Sequence, residues 1–267
     1  MSADDKRKIR SEVFVWDRRF FLRADPYFMD RRHNPYKRLS MTFIIGNSHA
    51  FEIGIDGGPM EICDAVLLAP NVSREYIASG PGGICIFDIG INRPAYPMLY
   101  QLLKEQISLY PNRDQLSALR KLVGDVNKPL DCESAQLLFE QVLDSLCESG
   151  PPPDEQDRRL ARVLALIDEL PQSELSSAVL AQQAHLSESR LRSLFKARLG
   201  CTLSQYIRWN SAWKAVMMLK QGASFTEIAH AVGFYDLAHA DRVFNEIFGM
   251  NPTQITDPAA TRLYFCE

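Results

Sequence analysis

Four cations crowd into one short stretch of this chain, Arg190, Arg192, Lys196 and Arg198, with Ser189 just before them and Ser193 between. On a helix, residues three and four apart share a face. Ser189, Arg190, Arg192, Ser193 and Lys196 then form a positive, hydrogen-bonding surface, and Leu191, Leu194, Phe195 and Leu199 form an apolar stripe behind it. The chemistry such a surface suits is reading a DNA major groove. Arg190 and Arg192 can each donate in pairs to guanine O6 and N7, while Lys196 and Arg198 are suited to backbone phosphates. About fifty residues later a second set stands in the matching place: His239, Asp241, Arg242 and Asn245. There His239 and Arg242 are the donors, and Asp241 either accepts from cytosine N4 or holds Arg242 in place.

The elements that must position these residues are written twice. The first copy reads Leu180, Ala181, Ala184, His185, Leu186 and Ser187, then Leu191 to Gly200; the second reads Ile228, Ala229, Val232, Gly233, Phe234 and Asp236, then Val243 to Gly249. A small residue, Ala181 or Ala229, lets a second helix cross closely. Gly233 takes a positive φ freely, and His185, in the same place, belongs to the less penalised non-glycine types. Ser187 and Asp236 are N-caps, and Gly200 and Gly249 close the second helices. Each copy predicts a helix-turn-helix, over residues 176–199 and 225–248. A helix over Leu203–Lys220 joins them, with Tyr206, Trp209 and Trp213 on its core face.

The stretch 157–257 resembles the DNA-binding domain of the AraC/XylS transcriptional regulators. The resemblance rests on Ala181, Leu186, Ser187, Leu194, Phe195, Lys196 and Gly200, and on the Gly233-Phe234, Phe244, Phe248-Gly249 and Pro252 ending. It departs from the family's usual residues at Ser211, Ala240, Asp241 and Asn245. It implies a sequence-specific regulator, with activation the commoner mode, that binds promoter DNA, works with RNA polymerase and forms homodimers.

The rest of the chain carries no such signal. At 267 residues it has room for two cores. Its net charge of −3 is not that of a general polyanion binder. The cations are instead concentrated locally, eight Lys/Arg against five Asp/Glu over 175–249. From residue 12 to about 92, short β-rich runs at 13–16, 20–22, 41–45, 51–55, 62–68, 75–77 and 84–87 alternate with turns such as Asp56-Gly57-Gly58-Pro59. They predict a small antiparallel barrel or sandwich, and the segment 65–75 is similar to the cupin-type sensor half of the same family. Trp16, Phe43, Tyr76 and Arg74 are candidates to line its mouth around an anionic small molecule; the alternative is that the aromatics fill the barrel and Arg74 lies outside. A metal-dependent cupin needs about two His and a carboxylate converging. This half offers only His33 and His49, with Arg74 where a ligating His would stand, so no metal or other cofactor is expected.

Helices follow at 96–105, 114–123 and 134–147, then the acidic triple-proline stretch 148–156 as linker and a leading helix at 158–170. Six cysteines lie at 63, 85, 132, 147, 201 and 266, without a Cys-x-x-Cys pair. They are read as free thiols in a reducing cytoplasm. No apolar run reaches membrane-spanning length. The expected architecture is α+β in two domains: a cupin-like sensing or dimerising half at 1–147, and an all-α DNA reader at 157–258. Two rivals stand beside it: a cupin-like enzyme or carbohydrate binder with a helical appendage, and a DNA-binding protein that senses no small molecule and responds to a protein partner or to thiol oxidation. The chain is not expected to be an enzyme.

Overall fold

The computed structural model describes residues 11–80, 82–124, 128–147, 155–170, 174–223, 227 and 261–267. The N-terminal half is built from ten strands in succession: β1 (Ser11–Trp16), β2 (Arg19–Ala24), β3 (Phe28–Asp30), β4 (Tyr36–Lys37), β5 (Met41–Gly46), β6 (Phe51–Ile55), β7 (Met60–Cys63), β8 (Ala65–Leu68), β9 (Ser73–Ser79) and β10 (Ile84–Ile89). Then come α1 (Tyr96–Leu102), β11 (Ser108–Leu109), α2 (Arg113–Val123) and α3 (Cys132–Cys147). The reader half holds α4 (Glu155–Glu169), α5 (Ser177–Gln183), α6 (Glu188–Leu199) and α7 (Leu203–Lys220), and the chain closes with β12 (Thr261–Phe265).

Two sheets face each other. One has seven strands in the order β11-β8-β5-β10-β2-β1-β12, the other runs β3-β9-β6-β7 with β4 beside β9. The run expected as one strand over 62–68 is two. Asp64 separates β7 from β8, which belong to different sheets, and its carboxylate takes a 2.5 Å hydrogen bond from Arg120 on α2. A polar residue at the corner is what lets one apolar run serve both layers.

The outer face of the seven-stranded sheet is covered by helices. Phe139 of α3 is buried between Trp16, edge-on at 5.3 Å, and Phe87 at 5.7 Å, with Phe43 next to Phe87 at 6.0 Å. Trp16 and Phe43 therefore face the helical layer and not the space between the sheets, which corrects their assignment as lining residues. The reason is strand alternation: Thr42 and Asp88, in register with each other and next in sequence to the Phe43–Phe87 pair, point the other way. Tyr76 lies edge-on to Phe28, which is 69% exposed. Of the four candidates only Arg74 points between the sheets.

The reading of all six cysteines as free thiols also fails. Cys63, Cys85, Cys147 and Cys201 are free, but Cys132 and Cys266 form a disulfide across 134 residues of sequence. The cause is β12, which pairs parallel with β1 from Ser11↔Thr261 to Val15↔Phe265 and so brings Cys266 to the start of α3. Nothing local to either cysteine announces that pairing.

Candidate nucleic-acid interface

The first helix-turn-helix forms as its residue types dictate. Ser176 caps α5 by accepting from the Val179 amide at 3.2 Å, and Ser187 caps α6 by accepting from the Arg190 amide at 3.2 Å. His185 sits in the turn at φ +54, the left-handed value expected for that place. Leu180, Ala181, Leu191, Leu194, Phe195 and Leu199 are buried, and Phe195 meets Tyr206 of α7 edge-on at 5.9 Å. Tyr206, Trp209 and Trp213 are at most 1% exposed. The aromatic residues of α7 are thus core and do not form a platform for bases.

With the apolar stripe turned inward, Ser189, Arg190, Arg192, Ser193 and Lys196 all lie exposed on one side of α6, and Arg198 is half-buried. Arg192 is held loosely by Glu188, one turn before it, at 3.7 Å. Such an exposed pair is worth a few tenths of a kcal/mol, so it costs little to redirect Arg192 toward a ligand. Lys196 reaches the carbonyl of Gly200 at 3.4 Å. His239, Asp241, Arg242 and Asn245, with the second helix-turn-helix unit, lie outside the described residues.

The opposite end of α6 docks on the N-terminal half. Gly200 terminates the helix at φ +67, and a Cβ there would lie 2.9 Å from both Pro70 and Tyr100. Its carbonyl accepts from Asn71 at 3.1 Å, and the Tyr96 hydroxyl lies 3.3 Å from the Leu199 carbonyl. On another side Arg18, in the β1–β2 turn, donates to Asp168 of α4 and, at 2.8 Å, to Asn210 of α7. None of these contacts was anticipated. Arg18, Asn71 and Tyr96 carry no motif, and their role depends on which surface folds against them. Gly200→Ala would place a side chain in a left-handed conformation and against two neighbours. A loss of about 1–3 kcal/mol is expected in urea unfolding. An unchanged urea midpoint would mean that the two halves do not pack this way in solution.

Between the sheets lies a second polar site. Asp88, 1% exposed, accepts from Ser40 at 2.6 Å and from Arg38 at 3.2 Å. Arg74, also 1% exposed, donates to Thr42 at 2.6 Å, while its Nε and Nη1 have no hydrogen-bond partner among the described residues. Burial lowers Arg74 to about 10, still charged at neutral pH, and pushes the Asp88 carboxyl up, against the pull of Arg38 and Ser40. Arg38 thus pairs directly with the one buried carboxylate, while Arg74 feels Asp88 only through space. Among the described residues no cluster of three His, Cys, Asp or Glu is placed to hold a metal ion.

The comparisons agree with this arrangement. A family model described as a helix-turn-helix domain matches residues 180–257. The HTH-type transcriptional activator RhaR of Salmonella dublin is 29% identical over 132 residues, 47% of this chain and 47% of its own length. RhaR of Salmonella arizonae is 28% identical over the same share. The chain spans about half the length of the curated relatives it matches. Among solved structures, an apo variant of ToxT from Vibrio cholerae superposes with a TM-score of 0.54 at 13% identity, over 88% of this chain and 96% of that one. Wild-type ToxT bound to an unsaturated fatty acid gives 0.50 at 14% identity, over 88% and 94%. At such identities the likeness is one of fold: a sheet-rich half followed by a helical half.

Proposed function

We propose that this chain, which carries an AraC/XylS-type helix-turn-helix domain at its C-terminal end, is a sequence-specific transcriptional regulator whose N-terminal half senses a small anionic molecule. The observation that carries the DNA reading is the exposed cationic side of α6, on a unit whose caps, turn and core are all complete. α7, with eighteen residues, is about 27 Å long, a rod of the scale that separates two successive major grooves. On this reading Arg190, Arg192, Ser189 and Ser193 face base edges, Lys196 and Arg198 face phosphates, and His239, Asp241, Arg242 and Asn245 serve the second groove. The reader covers 157–258 and the sensing or dimerising half 1–147. The activator relatives support activation as its mode; action through RNA polymerase, as a homodimer in the cytoplasm, belongs to the same family reading.

Selection of bound sequences from random duplexes tests the DNA reading. A site of two half-turn elements on one face is expected, bound with an affinity that falls steeply with salt. Recovery of no preferred sequence would overturn it.

Arg74 supports the sensing role, because its free donors and the uncompensated charge around it fit a carboxylate. Oleate and benzoate are suitable probes for a long and a short carboxylate. Either one, at a hundred times its Kd, is expected to stabilise the folded protein by about 2.7 kcal/mol, and Arg74→Met should abolish the shift in melting temperature. A shift retained in that variant would place the ligand elsewhere.

A further inference from the structure

The C-terminal strand joins three parts of the molecule. β12 extends the seven-stranded sheet at the edge of β1, where exposed backbone groups would otherwise stand unpaired. Tyr264 stacks on Phe14 at 4.6 Å, nearly parallel, and the Cys266 amide donates to the Val15 carbonyl at 2.9 Å. Lys220, the last residue of α7, reaches the Cys266 carbonyl at 3.4 Å. The tail therefore touches the barrel edge, and through Lys220 it touches the far end of the reader's rod. Cys266 is then bonded to Cys132 at the start of α3.

Topology gives this small contact its reach. The reader leaves the N-terminal half after α3, and the chain returns to that half at β12, so the disulfide closes a covalent loop around the whole reader. Only three residues, 258–260, separate the end of the matched helix-turn-helix domain from Thr261. Four residue steps span at most about 14 Å. While β12 is seated, the end of the reader cannot move far from β1. Without it, among the described residues, the reader is held by the Arg18, Asn71 and Tyr96 contacts and by the packing of Gly200 on Pro70 and Tyr100.

We propose that Cys132 and Cys266 form a reversible thiol–disulfide latch that seats the C-terminal strand on β1 and restrains the DNA reader against the sensing half. The oxidant it calls for is a low-molecular-weight disulfide such as oxidised glutathione. The Cys132 thiolate attacks one glutathione sulfur and expels a glutathione thiolate. The Cys266 thiolate then attacks the Cys132 sulfur of the mixed disulfide and expels the second. Two electrons and two protons pass from the cysteine pair to the oxidant, which leaves as two glutathione thiols, and a reducing thiol pool reverses both steps. In reducing compartments disulfides are chiefly transient and regulatory, which suits a latch more than a permanent staple. Opening it removes one of the reader's anchors and raises the share of molecules in which the reader can turn to a duplex.

The test uses the full chain, equilibrated with oxidised glutathione or with dithiothreitol, beside Cys132→Ser, Cys266→Ser and, as control, Cys63→Ser. Alkylation and peptide mass mapping should find the Cys132–Cys266 link only in oxidised wild type and in the control. Hydrogen exchange of residues 261–265 should be at least tenfold faster in dithiothreitol and in the two serine variants, with residues 139–146 unchanged. By fluorescence anisotropy on the duplex selected above, the reduced protein and both serine variants should bind at least fivefold tighter than oxidised wild type. Absence of the link in oxidised folded protein overturns the proposal, as does unchanged exchange at 261–265. Equal affinity in the two states leaves a staple with no hold on the reader and overturns the regulatory claim. The DNA arm rests on the proposed function: failure to bind any duplex in either state rejects that function, while exchange still decides the latch.

Discussion

Arg190→Ala is expected to weaken binding to the selected duplex by roughly ten- to a hundredfold, and to relax preference at one base pair more than elsewhere. A two-pronged arginine–guanine contact is worth about 1–3 kcal/mol of discrimination, and each 1.4 kcal/mol is a factor of ten. Arg190 is exposed on the first turn of α6, the part of a recognition helix that meets base edges. Arg192→Ala should behave alike, since its partner Glu188 holds it only at 3.7 Å. Lys196→Ala should differ in kind: a loss similar across all sequences, and a salt dependence shallower by about one ion. His239→Ala should cost much less than Arg190→Ala. Anisotropy titrations at two salt concentrations separate these cases, and equal losses for Arg190 and His239 would show that the two helices share the base reading evenly.

The second large effect is on stability, and the two substitutions that reveal it should act in opposite directions. Asp88→Asn keeps the shape and the Ser40 contact but leaves Arg38 and Arg74 as buried cations with no carboxylate among the three. Breaking a buried pair in this way costs about 3–5 kcal/mol. At roughly 2–4 °C per kcal/mol, the melting temperature should fall by on the order of 10 °C. Arg74→Met removes a charge whose Nε and Nη1 are unsatisfied in the absence of ligand, so stability should hold or rise by about 1–3 kcal/mol. Calorimetry of both variants in ligand-free buffer decides the matter. A large loss for Arg74→Met would show that the cation is already compensated within the fold, and the case for an anionic ligand there would fall with it.

The helix-turn-helix was legible from sequence because each of its signals acts within a few residues. Ser187 caps the helix that begins beside it, Gly200 ends that helix, and the Leu191, Leu194, Phe195 and Leu199 stripe settles which side faces in. The cationic side is then exposed by default, and the core role of Trp209 and Trp213 follows from the same periodicity. The strands of the N-terminal half were legible as runs, but their faces were not. A run such as 13–16 alternates two buried sides, so composition could not say whether Trp16 faced the space between the sheets or α3. The break at Asp64 was hidden because Ile62, Cys63 and the apolar β8 read as one run, although Ile62 is exposed on β7 and β8 is wholly buried.

What the sequence by itself determined is therefore local: a capped, duplicated reader motif, and a half made of short strands. What the tertiary structure alone decided is everything that joins distant segments: Gly200 packed on Pro70 and Tyr100, Arg38 paired with Asp88 and Arg74 with Thr42, β12 returning to β1, and Cys132 meeting Cys266. A cap or a helical stripe is stabilised by neighbours in the chain and leaves its mark in their spacing. A contact across a hundred residues is selected by which surfaces remain to be buried once the elements exist, and no short window of sequence records that choice.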